Sequence, residues 1–177
     1  ADIPQHTPYL IPDLHKTNYW FKQLGDSQKL KVGLVWKGSV AFRKDTNRSI
    51  PIAELEPLFK NINIEIIILQ KELEIEEQEY IRRFQNVKSI SDKLHNFDDT
   101  AAIIEALDAV AHLAGALNKR VFLLLAFSAD WRWFLNRSDS PWYPSVQLFR
   151  PNSIGNWSQV IGQANKELSA VPGDQKP

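Results

Sequence analysis

Cysteine and methionine are both missing from this chain of 177 residues. Without cysteine there is no disulfide framework, no thiolate metal site and no cysteine nucleophile. The four histidines are scattered and no HExxH or comparable spacing occurs, so no metal site is expected. A chain of this size without methionine reads as a fragment, or as a sequence from which residues have been lost. An excess of one charge is lacking too. Lys+Arg and Asp+Glu both number 21, giving a net charge of zero. That removes the electrostatic argument for nucleic acid or an anionic membrane as a partner. The longest apolar run, residues 121–127, falls far short of the ~20 residues of a membrane helix. No signal peptide opens the chain. A cytoplasmic protein with no transmembrane segment is the expectation. Glycine is sparse, at 7 residues. GxGxxG does not follow the first apolar strand, which argues against a dinucleotide oxidoreductase. GxxxxGK[ST] is absent, which argues against a P-loop nucleotidase.

What is present is an ordinary one-domain composition, 44% hydrophobic and 24% charged, enough for a real core. Residues 1–30 read as a lead-in, punctuated by Pro4, Pro8 and Pro12. It holds a short helix that Asp13 can cap and that the cluster from Gly25 to Ser27 ends. Residues 31–36 (KVGLVW) are a compact apolar run suited to a buried parallel strand. A polar loop, residues 37–49, follows. Pro51 opens a helix whose Ile52, Leu55, Leu58 and Phe59 share one face. Further strands are expected at 64–69, 87–90, 121–125 and 145–149, the last on an edge. Helices are expected at 72–84, at 98–107 with Asp98 or Asp99 as cap, around 110–117, and at 157–168. The tail, residues 171–177, is polar and proline-bearing and is expected to fray. The alternation predicts an α/β fold, a Rossmann-like parallel sheet with helices on both faces, over residues 31–170.

One join breaks this pattern. The helix ending at Leu107 runs into the helix around 111–117 with only residues 108–110 between them. Two helices flanking a parallel sheet are normally separated by a strand. About one strand and a turn are missing between Asp108 and Val110.

Several motifs converge on one family: KVGLVWKGS (31–39), NRSIPIAELEPL (47–58), ILQKE (68–72), FDDTAAIIEALD (97–108), VAHLAGALNK (110–119), DWRWFLNRSDSPWYPSVQLFR (130–150) and GNW (155–157). In these the chain resembles the C-terminal domain of GT-B glycosyltransferases. The resemblance is to bacterial tetratricopeptide-repeat proteins whose transferase domain is related to the ADP-heptose:LPS heptosyltransferases. It covers residues ~30–165, and DWRW followed by SPWYP and LFR is its specific part. In the family a strand and a Val-Asp-Thr turn precede the VAHLAGAL helix. Here Asp108 leads directly into Ala109, Val110 and Ala111. Either residues are missing from the sequence, or the domain is truncated and its donor site damaged.

The resemblance implies metal-independent glycosyl transfer from a nucleotide-diphosphate sugar, a donor substrate and not a cofactor. The acceptor-binding half, or a repeat domain, would lie outside this chain. The alternative is a degenerate transferase domain serving as a protein-interaction module.

Ligands of doubly wound sheets sit past the carboxyl ends of the strands. In the loop 37–49, Gly38 permits close backbone approach. Lys44, Asn47, Arg48 and Ser49 can meet a diphosphate through charge-assisted bonds. The family likeness turns this loop toward the donor's diphosphate, with Arg48 foremost; the other reading is a solvated basic loop. Lys71, ending the second strand, stands where a phosphate or ribose contact would be placed, or is simply exposed. The N-terminus of the helix around 110–117 suits a phosphate. There His112 matches a family histidine near the nucleotide, or is a hydrogen-bonded core residue. Ala111, Ala114, Gly115 and Ala116 let that helix approach the sheet or ligand closely. Trp131, Arg132 and Trp133 can stack a base or sugar, or pin a loop by burial and cation–π contact; the structural reading is favoured for them and for Trp142 and Tyr143. Asp130 would cap or orient Arg132. No residue stands out as a catalytic base. Three sequons, beginning at Asn47, Asn136 and Asn156, read as chance matches in the absence of a secretory signal.

Overall fold

The computed structural model describes residues 8, 10–38, 49–108, 115–128, 131–134 and 136–170. Helix α1 (Leu14–Leu24) begins where the sequence predicts, with the Asp13 side chain accepting from the Lys16 N–H at 2.9 Å. It stops at Gly25, whose φ of 68° is a left-handed conformation suited to glycine. The Gly25 N–H returns to the Phe21 carbonyl at 3.1 Å. Trp20 and Leu24 are buried in a cluster with Ala102, Ile103 and Ile104 of α4 (Phe97–Glu105). Lys16 Nζ reaches Asp99 at 2.8 Å across the same contact.

Strands β1 (Leu30–Leu34), β2 (Ile64–Ile68) and β3 (Val87–Ser89) are parallel and lie in that spatial order. Strands β4 (Val121–Leu124) and β5 (Val146–Phe149) form a second parallel pair. Every residue of β2 is buried, as a central parallel strand requires. Its one charge, Glu65, pairs with Lys88 of β3.

Side-chain alternation shows that the two sheets form one layer. On one face Ile67 and Leu69 share a cluster with Val121, Leu125, Val146 and Leu148, under α1 and α4. On the other face Val32, Ile64, Ile66 and Ile68 share a cluster with Phe149, and Phe122 and Leu124 pack against it. That face is covered by α2 (Glu56–Phe59), through Leu58 and Phe59, and by α5 (Trp157–Ala170), through Val160, Ile161, Ala164 and Leu168. The result is the expected α/β arrangement of parallel strands flanked by helices.

Local details differ from the sequence reading. The run after Pro51 is a 3-10 turn (Ile52–Leu55) leading into α2, not one helix. The acidic helix expected at 72–84 is shorter, α3 (Ile75–Ile81). Glu74 and Glu77 make a reciprocal capping box that sets its start. Asn96, not Asp98 or Asp99, caps α4, accepting from the Asp99 N–H at 2.9 Å.

The anomalous join is informative. The Asp108 N–H donates to the Lys31 carbonyl at 2.9 Å, and the Lys31 N–H donates to Asp108 Oδ2 at 2.7 Å. Asp108 therefore sits on the edge of β1 away from β2, where a neighbouring strand would begin.

Candidate functional site

The carboxyl ends of β1, β2 and β3 converge on one rim. Gln70, just past β2, is buried, and its Oε1 accepts the N–H groups of Trp36 and Lys37 at 3.3 and 3.2 Å. Below it Glu77 of α3 gathers three donors. Lys37 Nζ lies 2.6 Å from Oε2, the Trp36 indole N–H 3.1 Å from Oε1, and the Glu74 N–H 2.9 Å from Oε2. Burial by itself would push the Glu77 carboxyl up. The Lys37 ammonium, the Glu74 N–H and the Trp36 indole outweigh it and hold the carboxyl below its ordinary range. Lys37 is thus committed to an internal ion pair and serves to fasten the loop after β1 to α3.

Lys71 opens onto a cavity of about 450 Å³, shared with Arg82 of the α3 end and with Ser89 and Ser91 at the end of β3. Leu73, Ile81 and Val87 supply apolar walls, and Asp92 completes the polar side. The Ser89 and Ser91 hydroxyls are 3.0 Å apart. Two cations, two hydroxyls and an apolar wall can take an anionic ligand with a flat or apolar portion. Sequence reasoning did not single out Arg82, Ser89 or Ser91. The available signal was Ser89-Ile90-Ser91, two hydroxyls straddling the end of a short strand.

The sequence-predicted residues fall into separate places. The Ile50 N–H donates to the Trp36 carbonyl at 2.9 Å, which returns the chain after the polar loop to the end of β1. Gly38 and Ser49 are thereby drawn to one junction. Lys71 faces the cavity at the β2–β3 end, and neither Gly38 nor Ser49 lines it. Asn47, Arg48 and His112 lie outside the described residues, as do Lys44 and Asp130. Among the described residues no group of His, Asp and Glu is arranged to hold a metal ion. None of the described helices is long and apolar enough to cross a membrane.

The aromatic segment is a packing device. Trp133 is 6% exposed and belongs to the core cluster of α1 and α4. The Trp142 indole N–H donates to the Arg132 carbonyl at 2.9 Å. Arg150, past β5, donates to the carbonyls of Trp133, Phe134 and Arg137. Burial draws its guanidinium below the usual arginine range. Phe134 adopts a φ of 51°, uncommon for an aromatic residue, within this tie. Gly115 packs so closely on Tyr143 that an added Cβ would lie 2.8 Å from the ring. The smallness of that helix residue therefore serves the aromatic segment.

No family model matches the chain. Protein FlbA of Caulobacter vibrioides is 28% identical over 182 residues, which take in 94% of this chain and 30% of FlbA. Ninety-four per cent of 177 residues is about 166, so about 16 aligned FlbA residues have no counterpart here. Two solved structures share the fold. The E. coli ADP-heptose LPS heptosyltransferase II superimposes with a TM-score of 0.56 at 16% identity, over 96% of this chain and 56% of that one. A family 9 glycosyl transferase from Veillonella parvula gives a TM-score of 0.55 at 12% identity, over 94% of this chain and 50% of that one. The chain folds as a glycosyltransferase-like domain. It spans about a third of FlbA and about half of each solved transferase.

Proposed function

We propose that this domain is the donor-binding half of a glycosyltransferase that uses a nucleotide-diphosphate sugar. The acceptor-binding half, or a repeat domain, would lie outside these residues. The cavity joining Lys71 and Arg82 to Ser89 and Ser91 carries this reading, because Lys71 and Ser89 bring it to the carboxyl ends of the parallel strands β2 and β3. Cations at such a rim suit a diphosphate, and the hydroxyls suit its oxygens or a ribose. During transfer the bond from the anomeric carbon to the diphosphate oxygen breaks. An acceptor oxygen forms the new bond, and its proton passes to a base supplied elsewhere. Lys71, Arg82 and the loop residues Gly38, Asn47, Arg48 and Ser49 would stabilise the leaving diphosphate without a metal ion, with His112 beside the nucleotide. A donor of this class would place the reaction in the cytoplasm.

Isothermal titration with ADP, UDP, GDP and CDP tests this reading. Saturable binding of one of them is expected, weakened by ~1.5–3 kcal/mol in Lys71→Ala and in Arg48→Ala. Absence of saturable binding to all four would overturn the donor role.

A second reading is an interaction module built on a degenerate transferase domain. Among the described residues the strands pair as two separate sets, β1 to β3 and β4 with β5, which favours it.

A further inference from the structure

The cavity at the ends of β2 and β3 is lined by charges of both signs. Lys71 comes from just past β2 and Arg82 from the end of α3. Among the described residues Asp92 is the one carboxylate on its wall. It belongs to a 3-10 turn, Ser91–Lys93, that follows β3. That turn is fastened to the sheet. Ile90 is buried, its N–H donates to the Ile68 carbonyl at 3.4 Å, and its carbonyl accepts the Lys93 N–H at 2.9 Å.

Opposite charges that share a cavity ordinarily close into ion pairs. On the neighbouring rim Lys37 and Glu77 have done so, at 2.6 Å. Around this cavity the charges stay apart. Among the described residues, the side chains of Lys71, Arg82 and Asp92 make no ion pair or hydrogen bond with one another or with a third group. About 450 Å³ lies between them.

A diphosphate answers Lys71 and Arg82 but not Asp92, because a carboxylate repels a phosphate placed beside it. An ionised carboxylate only accepts hydrogen bonds, so the Asp92 side calls for a neutral donor. The apolar wall of Leu73, Ile81 and Val87 calls for a flat body. A nucleobase meets both demands, with its ring on the wall and its edge toward Asp92. The exocyclic amines of cytosine, adenine and guanine donate to such a group. Uracil and hypoxanthine carry a carbonyl oxygen where cytosine and adenine carry the amine, and a carboxylate repels that oxygen.

We propose that Asp92 is a specificity-determining residue that accepts a hydrogen bond from the exocyclic amine of the donor's base, and so selects an amino-bearing base over uracil. This rests on the donor-binding reading above and adds the class of base that fits it. Lys71 and Arg82 take the phosphates, at the far side of the cavity from the base edge.

The test is isothermal titration of the intact protein with CDP, UDP, ADP, GDP and inosine diphosphate. In the pairs CDP/UDP, ADP/IDP and GDP/IDP the members differ at an exocyclic amine. Whichever pair binds most tightly should favour its amino-bearing member by about 10-fold or more. Asp92→Asn keeps the side-chain size but adds a donor, so the preference should fall below about 3-fold. Asp92 is exposed, and an unchanged urea unfolding midpoint verifies that this variant folds. Lys71→Ala should weaken both members of the pair by about the same factor and leave their ratio unchanged. Three outcomes overturn the proposal while nucleotides still bind and the donor reading stands. They are equal binding of both members by the wild-type protein, a preference that survives in Asp92→Asn, and a ratio that Lys71→Ala changes as much as Asp92→Asn does. Binding of none of the five removes the donor reading and this inference with it.

Discussion

Strands β2 and β4 have nearly the same kind of sequence and very different surroundings. IEIII in β2 is buried at every position and hydrogen-bonded on both edges. VFLL in β4 is fully buried only at Val121 and is paired on one edge among the described residues. An apolar strand is therefore not by itself a core strand. Its burial depends on neighbours on both sides, and among the described residues β4 has one neighbour fewer. The rims differ in the same way. A carboxylate, Glu77, fastens the loop after β1, whereas a guanidinium, Arg150, fastens the aromatic segment onto β5.

The sharpest way to break this comparison is to truncate equivalent side chains. Ile67→Ala removes a side chain with no exposed area and should cost ~3–5 kcal/mol in urea unfolding. Leu124→Ala, in the half-buried strand, should cost clearly less, ~1–2 kcal/mol. Equal costs would mean that β4 is as well packed in solution as β2.

The two fasteners should respond differently to acid. Glu77→Gln leaves Lys37 and the Trp36 indole without their anion and should destabilise by ~1.5–3 kcal/mol near neutral pH. The Glu77 carboxyl is held lower in the folded state than the ordinary carboxylate near 4.5. Its contribution is present in full above that ordinary value and is lost as pH falls through the folded one. The difference between wild type and Glu77→Gln should thus shrink as pH falls below the ordinary carboxylate value. Arg150→Lys should destabilise too, but without that pH dependence, since guanidinium and ammonium both stay charged there. Parallel pH profiles for the two variants would undo the contrast.

A smaller effect is expected at the helix residue under the aromatic segment. Gly115→Ala places a methyl group 2.8 Å from the Tyr143 ring and should cost ~1–3 kcal/mol by overpacking. Combining it with Tyr143→Ala should recover part of that loss. If Gly115→Ala is neutral, Tyr143 is looser than its contacts imply, and the second half is less rigid still. Smallest of all should be Arg137→Ala. Its forked pair with Asp139 is exposed on both sides and screened by solvent, so the urea unfolding midpoint should barely move.

Much of the fold was legible because strand and helix periods are local. The run 64–69 could only be a buried strand, and Asp13 and Gly25 bracket α1 by cap chemistry that needs nothing beyond neighbouring residues. The unusual join after Leu107 was legible too, and Asp108, on the edge of β1 away from β2, is as far as the described residues follow it. The cap of α4 was misassigned because Asn96, Asp98 and Asp99 are chemically similar, and only backbone geometry selects among them. The candidate site was harder to read. Lys71 was singled out by its place at a strand end, but Arg82, Ser89 and Ser91 come from two other elements. Lys37 looked like one more cation of a basic loop until Glu77, forty residues later, was found holding it.

Composition alone determined that this protein has no cysteine chemistry and no one-signed charge, and its apolar periods determined an α/β layer. Those properties belong to single residues or to neighbours within a few positions. Tertiary structure decided which cations are spent and which face a cavity, and why Gly115 must be small. Such facts depend on pairs distant in the chain, and only the assembled sheet brings those pairs together.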